Sequence, residues 1–144
     1  MRLLVKFLKL SLADKALLAY CVLILAMVRI GLSLLSYRTL RRYLQKEIIV
    51  PVASNDEARR IVWAVTNAAR IVPRASCLTQ AVAAQFLLAR AGYQSQMRVG
   101  VSTDAEGQFI AHAWLISEGR ILMGGSAREI RRFATLTDFN LGPQ

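Results

Sequence analysis

The sequence has little of what cross-links or metal sites require. Its 144 residues include two cysteines, Cys21 and Cys77, and a single histidine. One cysteine lies in an apolar run and the other follows a proline turn, so a disulfide framework is not expected and a reducing, cytoplasmic compartment is the simpler interpretation. A four-ligand zinc site would need carboxylates for support, and none of the nine acidic residues is spaced to supply them. The sequence therefore predicts neither a metal nor another cofactor.

Acidic residues are also few, which leaves a net charge of +10 from 19 Lys and Arg against 9 Asp and Glu. A solvated basic surface, contact with a membrane surface and binding of an acidic peptide all stay open as explanations. Nucleic acid is not expected, because no basic stretch is interleaved with aromatics and no nucleic-acid motif is present. Part of the basic excess lies near the N-terminus, at Arg2, Lys6, Lys9, Lys15, Arg29, Arg38, Arg41, Arg42 and Lys46.

The uncharged apolar run near the N-terminus is too short for a membrane span. It covers the 13 residues 16–28, between Lys15 and Arg29, whereas a spanning helix needs about 20 apolar residues. If the run is extended to Tyr37 it is long enough, but it then contains the charged Arg29. A signal peptide would require a small-residue cleavage site after the run, and none follows. We expect a helix buried in the protein or covered by a partner, with peripheral membrane contact as the alternative.

Residues 1–52 form a predicted N-terminal helical segment. Ser11, with Asp14 three residues later, is a plausible N-cap for a helix that runs to about Ser36. A short basic amphipathic helix is expected over residues 38–45, followed by an apolar connector over residues 47–52.

Residues 53–144 form the predicted core, and the two segments are expected to make one compact unit. Ser54 caps a helix that reaches about Arg70. A further helix, rich in alanine, begins around Ser76 and continues through Arg90.

The pattern then changes to that of strands. Alternation over residues 97–101, a turn at 104–107, a strand over 108–117 and a hairpin at Glu118-Gly119 predict an antiparallel sheet that returns over residues 120–123. The tail over residues 126–144 is left unassigned. The predicted fold class is α+β, with N-terminal helices followed by an antiparallel sheet packed on the cysteine-bearing helix.

Cys77 is the strongest candidate nucleophile. The positive end of the helix dipole stabilises a thiolate in the first turn. The first-turn N–H groups, including that of Leu78, lack helical acceptors and can donate to an oxyanion. The alternative is a small buried hydrophobe; Cys21, inside the apolar run, is expected to be one.

His112 is the only histidine and lies in the middle of a predicted strand, where it could serve as general base. Trp114 shares its face and could shield the imidazole from water. The alternatives are a structural histidine and a plain core tryptophan.

A third group must orient the imidazole, and the residues leave its identity open. The hairpin places Gly124, which has no side chain, opposite His112. The other candidates are Glu118 in the turn, Asp104 in the preceding loop, and Asp138 and Ser126 in the tail. A backbone carbonyl or water could also do the orienting.

Two segments resemble a known family. They are residues 71–78, which read IVPRASCL before an alanine-rich helix, and residues 111–115, which read AHAWL. Together with the apolar helix that ends in residues 29–38, they are similar to the transglutaminase-like leader peptidases of lasso-peptide biosynthesis. The likeness covers nearly the whole chain.

The resemblance implies a papain/transglutaminase-like fold and a cysteine endopeptidase that removes the leader from a ribosomally made precursor. It also implies three partners: the precursor peptide, a small leader-recognition protein and the lasso cyclase. Cys77 and His112 carry over as the catalytic pair. The family's aspartate falls about twelve residues after the histidine, at Gly124 here, and the often basic position three residues after the cysteine is Gln80.

Two other functions stay open beside proteolysis. A non-catalytic module could dock a peptide or a membrane, which the missing aspartate favours. Acyl transfer to an amine would use the same Cys77 and His112 pair.

Overall fold

The computed structural model of the chain describes residue 6, residues 8–44 and residues 53–140, with backbone only at residues 37, 41, 43, 44 and 137–140. The predicted connector over residues 47–52, and the basic Arg2 and Lys46, lie outside the described residues. In chain order the described elements are α1 (Leu12–Leu34), α2 (Tyr37–Leu44), α3 (Asn55–Ala68), α4 (Cys77–Arg90), β1 (Gln96–Thr103), β2 (Phe109–Ser117), β3 (Arg120–Met123), α5 (Ala127–Ile130) and β4 (Ala134–Asn140).

Serine side chains begin the three long helices. Ser11, Ser54 and Ser76 are their N-caps, and each hydroxyl accepts from the backbone N–H three residues later, at 3.1, 3.2 and 3.3 Å. Such a bond satisfies one of the first-turn N–H groups that have no acceptor in the helix. The third long helix therefore starts at Cys77, with Ser76 as its cap.

The strands form one antiparallel sheet in the order β3-β2-β1-β4. The α+β prediction of helices followed by an antiparallel sheet is confirmed. The sequence pattern left the tail unassigned, but residues 134–140 form β4 along β1, and a capping box between Ser126 and Glu129 begins the short α5.

One hydrophobic cluster joins the N-terminal helix to the rest of the chain. It fills the space between α1, α3, α4 and one side of the sheet, so the predicted segments 1–52 and 53–144 share a core. Small side chains on α4 allow its close approach to the sheet. Cluster members include Cys21, Leu25, Val65, Ala81, Ala84, Leu88, Met97, Ala113 and Leu115.

Helix α1 carries apolar side chains both on the side that faces the core and on the side that faces solvent. By length and composition alone it could cross a membrane, which for a single helix near the N-terminus is weak support for a span. Its inner side, which includes Leu18, Cys21 and Val28, is buried in the cluster, while Leu23 and Met27 are exposed on the other side.

Candidate active site

Cys77 occupies the first position of α4, where backbone donors are available. The Thr79 N–H is taken by the Ser76 hydroxyl, and the Gln80 N–H donates to the Ser76 carbonyl at 3.0 Å. The N–H groups of Cys77 and Leu78 precede these two and have no acceptor within the helix. An anionic oxygen beside the thiol could therefore accept two hydrogen bonds from the first turn.

Gln80, at the position that is often basic in similar sequences, has a local structural role. Its side-chain amide donates to the carbonyl of Ala75 at 2.9 Å and so ties the first turn of α4 to the loop before it. That loop contains Arg74 in the left-handed region, with φ of 59°. These contacts fix the backbone that leads to Cys77.

The two thiols lie in different environments. Cys21 is fully buried in the hydrophobic cluster, and burial raises its pKa to about 11. Its thiol therefore stays protonated at neutral pH. Cys77 is half-buried beside the cluster, and its thiol makes no hydrogen bond with any residue of the described part.

His112 lies in β2 opposite Gly100 of β1, and its Nε2 hydrogen-bonds the carbonyl oxygen of Gly124. Because a carbonyl only accepts, this bond selects the tautomer that carries its proton on Nε2. The lone pair is then on Nδ1, which is the nitrogen that could take a proton from a thiol. A backbone carbonyl at residue 124 thus occupies the place where the resemblance led us to look for an aspartate.

Gly124 cannot be replaced by a residue with a side chain without displacement of its neighbours. Its φ is 108°, and a Cβ there would lie 2.5 Å from the Cβ and 2.8 Å from the Cα of Trp114. Real Cβ atoms do not come so close to other heavy atoms. The glycine therefore permits the close approach that puts its carbonyl on His112.

Aromatic rings flank the imidazole. The Trp114 ring is stacked with it at a centroid distance of 6.1 Å, and the Phe133 ring lies at 5.2 Å.

Glu129, on α5, has a lowered pKa. Hydrogen bonds from Ser126 are the main cause, and the nearby charge of His112 adds a minor part. Sequence reasoning missed Phe133 and Glu129; the Ser-x-x-Glu capping pattern over residues 126–129 was the signal available for the second.

The described conformation does not bring His112 and Cys77 together. Ala113 and Leu115 belong to the cluster under α4, whereas Trp114 is just as buried but packs outside it, against Phe133. Side chains alternate along a strand, so His112 shares the Trp114 side of the sheet. Cys77 begins α4, on the opposite side, and no hydrogen bond between the two side chains is found among the described residues.

The carboxylates considered as orienting groups make other contacts or lie elsewhere. Asp104 accepts from the backbone N–H groups of Glu106 and Gln108 at 3.0 and 2.8 Å, inside its own turn. Glu118 is an exposed hairpin residue with φ of 48°. The register places Asp138 on β4, opposite Arg98 of β1 and thus two strands from β2.

An open cavity of about 1170 Å³ lies on the His112 side of the sheet. Trp114 and Phe133, the two rings that flank His112, form part of its wall, so the cavity reaches the neighbourhood of the imidazole. Arg98 and Arg131 also line it. Its lining also includes the acid Glu118 and several apolar and uncharged polar side chains. No group of three His, Cys, Asp or Glu side chains that could hold a metal occurs in the described ranges.

Comparison with known families gives one match. A family model described as the transglutaminase-like superfamily matches residues 22–138. The matched region contains Cys77, His112 and all four strands except the last two residues of β4, and the α+β arrangement is consistent with that fold. No curated protein and no solved structure gives a significant match to the chain.

Proposed function

The chain belongs to the transglutaminase-like superfamily, and from that premise we propose that it is a cytoplasmic cysteine peptidase that removes the leader from a lasso-peptide precursor. The observation that carries the proposal is the position of Cys77. It is the first residue of a helix whose cap leaves two adjacent N–H groups without a helical acceptor. A nucleophile and its oxyanion donors thus come from one turn.

In the proposed reaction the Cys77 thiol gives its proton to Nδ1 of His112, and the thiolate attacks the carbonyl carbon of the scissile peptide. The N–H groups of Cys77 and Leu78 stabilise the oxyanion. The imidazolium then protonates the leaving amine of the core peptide, so that the leader stays on Cys77 as a thioester. Water, deprotonated by His112, releases the leader as a carboxylate and restores the thiol.

The Gly124 carbonyl supports the role given to His112. It fixes the tautomer and would stabilise the imidazolium by accepting from Nε2–H, as an orienting side chain does in related sites. The reaction also requires the imidazole to reach the thiol. We propose that the pair closes when the precursor, presented by a small leader-recognition protein, binds; the lasso cyclase would then act on the released core.

Cleavage of the cognate precursor peptide by the purified chain tests the proposal. We expect Cys77→Ala and His112→Ala each to lower the cleavage rate at least about 1,000-fold, because nucleophile and base act as a unit. Cys21→Ala is the matched control and should cleave at the wild-type rate, since that thiol is buried and protonated. Products should be followed by mass, with circular dichroism to show that each variant is folded. Cleavage by Cys77→Ala at the wild-type rate would contradict the proposal.

A non-catalytic peptide-docking module is the second candidate, and the placement of His112 favours it. The imidazole is hydrogen-bonded to Gly124, lies against two rings and is on the other side of the sheet from Cys77. Such a module would bind the precursor peptide without cleaving it. Fluorescence anisotropy would then give the same affinity for wild type, Cys77→Ala and His112→Ala, with the peptide intact by mass.

A further inference from the structure

A second apolar face runs along α1, opposite the face that packs in the core. We name it the outer stripe, and its members recur at intervals of four and three residues, which places them on one side of a helix. Its five large side chains are between 38% and 77% exposed. The outer stripe consists of Ala16, Tyr20, Leu23, Met27, Ile30 and Leu34.

The inner face of the same helix is already used. Leu18, Cys21, Leu25 and Val28 are buried in the cluster with α3 and α4. A transmembrane orientation of α1 would remove these side chains from the core and expose the surfaces of α3 and α4 that they cover. The fold therefore leaves the outer stripe available while it holds the helix in place, which suits an in-plane contact and not a span.

Charge near the outer stripe has one sign at both ends. No member of the stripe is charged, Lys6 and Lys9 are exposed before it, and Arg38 and Arg42 are exposed after it on α2. The one acid on α1, Asp14, is paired with Arg60 of α3 at 2.8 Å. Apolar side chains between basic ends are the pattern that anionic lipid surfaces bind, because the stripe enters the acyl boundary and the cations meet the headgroups.

A second copy of the chain fits the same surface less well. The four-three spacing would serve a helical pair. In a parallel pair Lys9 would face Lys9, and in an antiparallel pair it would face Arg38 and Arg42. Either arrangement places like charges together, and the net charge of +10 adds repulsion between copies.

We infer that the outer stripe of α1 docks the protein in-plane on an anionic lipid surface. The inference does not depend on peptidase activity, since it uses none of the residues proposed for catalysis. The chain stays peripheral, because the inner face of α1 remains in the core.

Sedimentation of the purified full chain with vesicles tests the inference. Vesicles of phosphatidylcholine alone and with phosphatidylserine should be compared at low and high salt. We expect binding to the anionic vesicles that weakens as salt rises, and loss of binding in the double variant Leu23→Glu, Met27→Glu. The matched control is Ile71→Glu, Leu136→Glu, which replaces two apolar residues elsewhere that are slightly more exposed and changes the net charge by the same amount.

A third variant tests the basic residues after the outer stripe separately from its apolar side chains. Arg38→Gln with Arg42→Gln should weaken binding to the anionic vesicles about 30-fold, at about five-fold for each cation, and all variants should keep wild-type circular dichroism. Failure of the wild type to bind anionic vesicles would overturn the inference, as would equal loss in the charge-matched control. A wild-type dimer that the stripe variant disperses, without vesicle binding, would assign the face to a second copy instead. Retention in the membrane after alkaline carbonate would also overturn it, because it would mean a span.

Discussion

Replacement of Gly124 by alanine tests the geometry around His112 quantitatively. Alanine at φ of 108° carries backbone strain of about 1–2 kcal/mol. Its Cβ would also lie 2.5 Å from the Cβ of Trp114, and relief of such overlap in a packed site adds about 1–3 kcal/mol. We therefore expect Gly124→Ala to lower the free energy of unfolding by roughly 2–5 kcal/mol.

The chain offers a matched control for this variant. Gly107 also has positive φ, 78°, but no heavy atom lies within 4 Å of the position its Cβ would take. Gly107→Ala should therefore show backbone strain alone, about 1–2 kcal/mol. Urea denaturation followed by circular dichroism gives both values, and the difference isolates the contact with Trp114. Equal stability of the two variants would refute the close approach that places the Gly124 carbonyl on His112.

The same geometry predicts the effect of an aspartate at residue 124, where the resemblance to leader peptidases led us to expect one. Gly124→Asp should be destabilised at least as much as Gly124→Ala, because its Cβ meets the same Trp114 atoms. It should cleave the precursor no faster than wild type. Faster cleavage by a fully folded Gly124→Asp would mean that a carboxylate, and not the carbonyl, is the better orienting group.

Three further changes have defined outcomes. Ser76→Ala removes the cap of the helix that begins at Cys77 and should lower the free energy of unfolding by about 1 kcal/mol, measured with urea. Cys21, with its pKa raised to about 11 by burial, should resist alkylation at pH 8 until the protein is unfolded, which mass mapping would show; prompt labelling would contradict its placement. Hydrogen bonds from Ser126 lower the pKa of Glu129. The ionised Glu129 therefore stabilises the folded protein above the ordinary glutamate pKa, and this contribution is lost as pH falls through the lower folded value. Urea titrations of Glu129→Gln between neutral and acid pH should lack that part of the pH dependence.

The local patterns of the sequence predicted the four longer helices and the first three strands well, but not the short α5. Capping serines, apolar spacing and the Glu118-Gly119 turn are signals within a few residues of one another, so they can be recognised without tertiary contacts. The fourth strand could not be recognised in this way. Residues 134–140 form a strand because they pair with β1, more than 30 residues earlier, and non-local pairing leaves little local signal.

The candidate site was predictable only in part for a similar reason. The position of Cys77 at a helix start follows from the cap before it. Residue 124 can be placed opposite His112 by counting residues on each side of the Glu118-Gly119 turn. The use of a carbonyl there depends on how closely the backbone passes Trp114. The contact of Phe133 with the imidazole depends on the path of α5 and β4. No pattern along the chain encodes either distance.

Alkylation of Cys77 by iodoacetamide at neutral pH tests the proposed nucleophile and base most directly. It should be measured in a Cys21→Ala background, where Cys77 is the only thiol, with the leader peptide and the leader-recognition protein present so that the proposed pair is closed, and compared with His112→Ala under the same conditions. The account predicts that Cys77 then reacts about ten times faster than an exposed cysteine in a peptide, because His112 in the closed pair takes the thiol proton. It also predicts that His112→Ala returns the rate to the peptide value. A Cys77 rate at or below that of the peptide, unchanged by His112→Ala, would contradict the central claim.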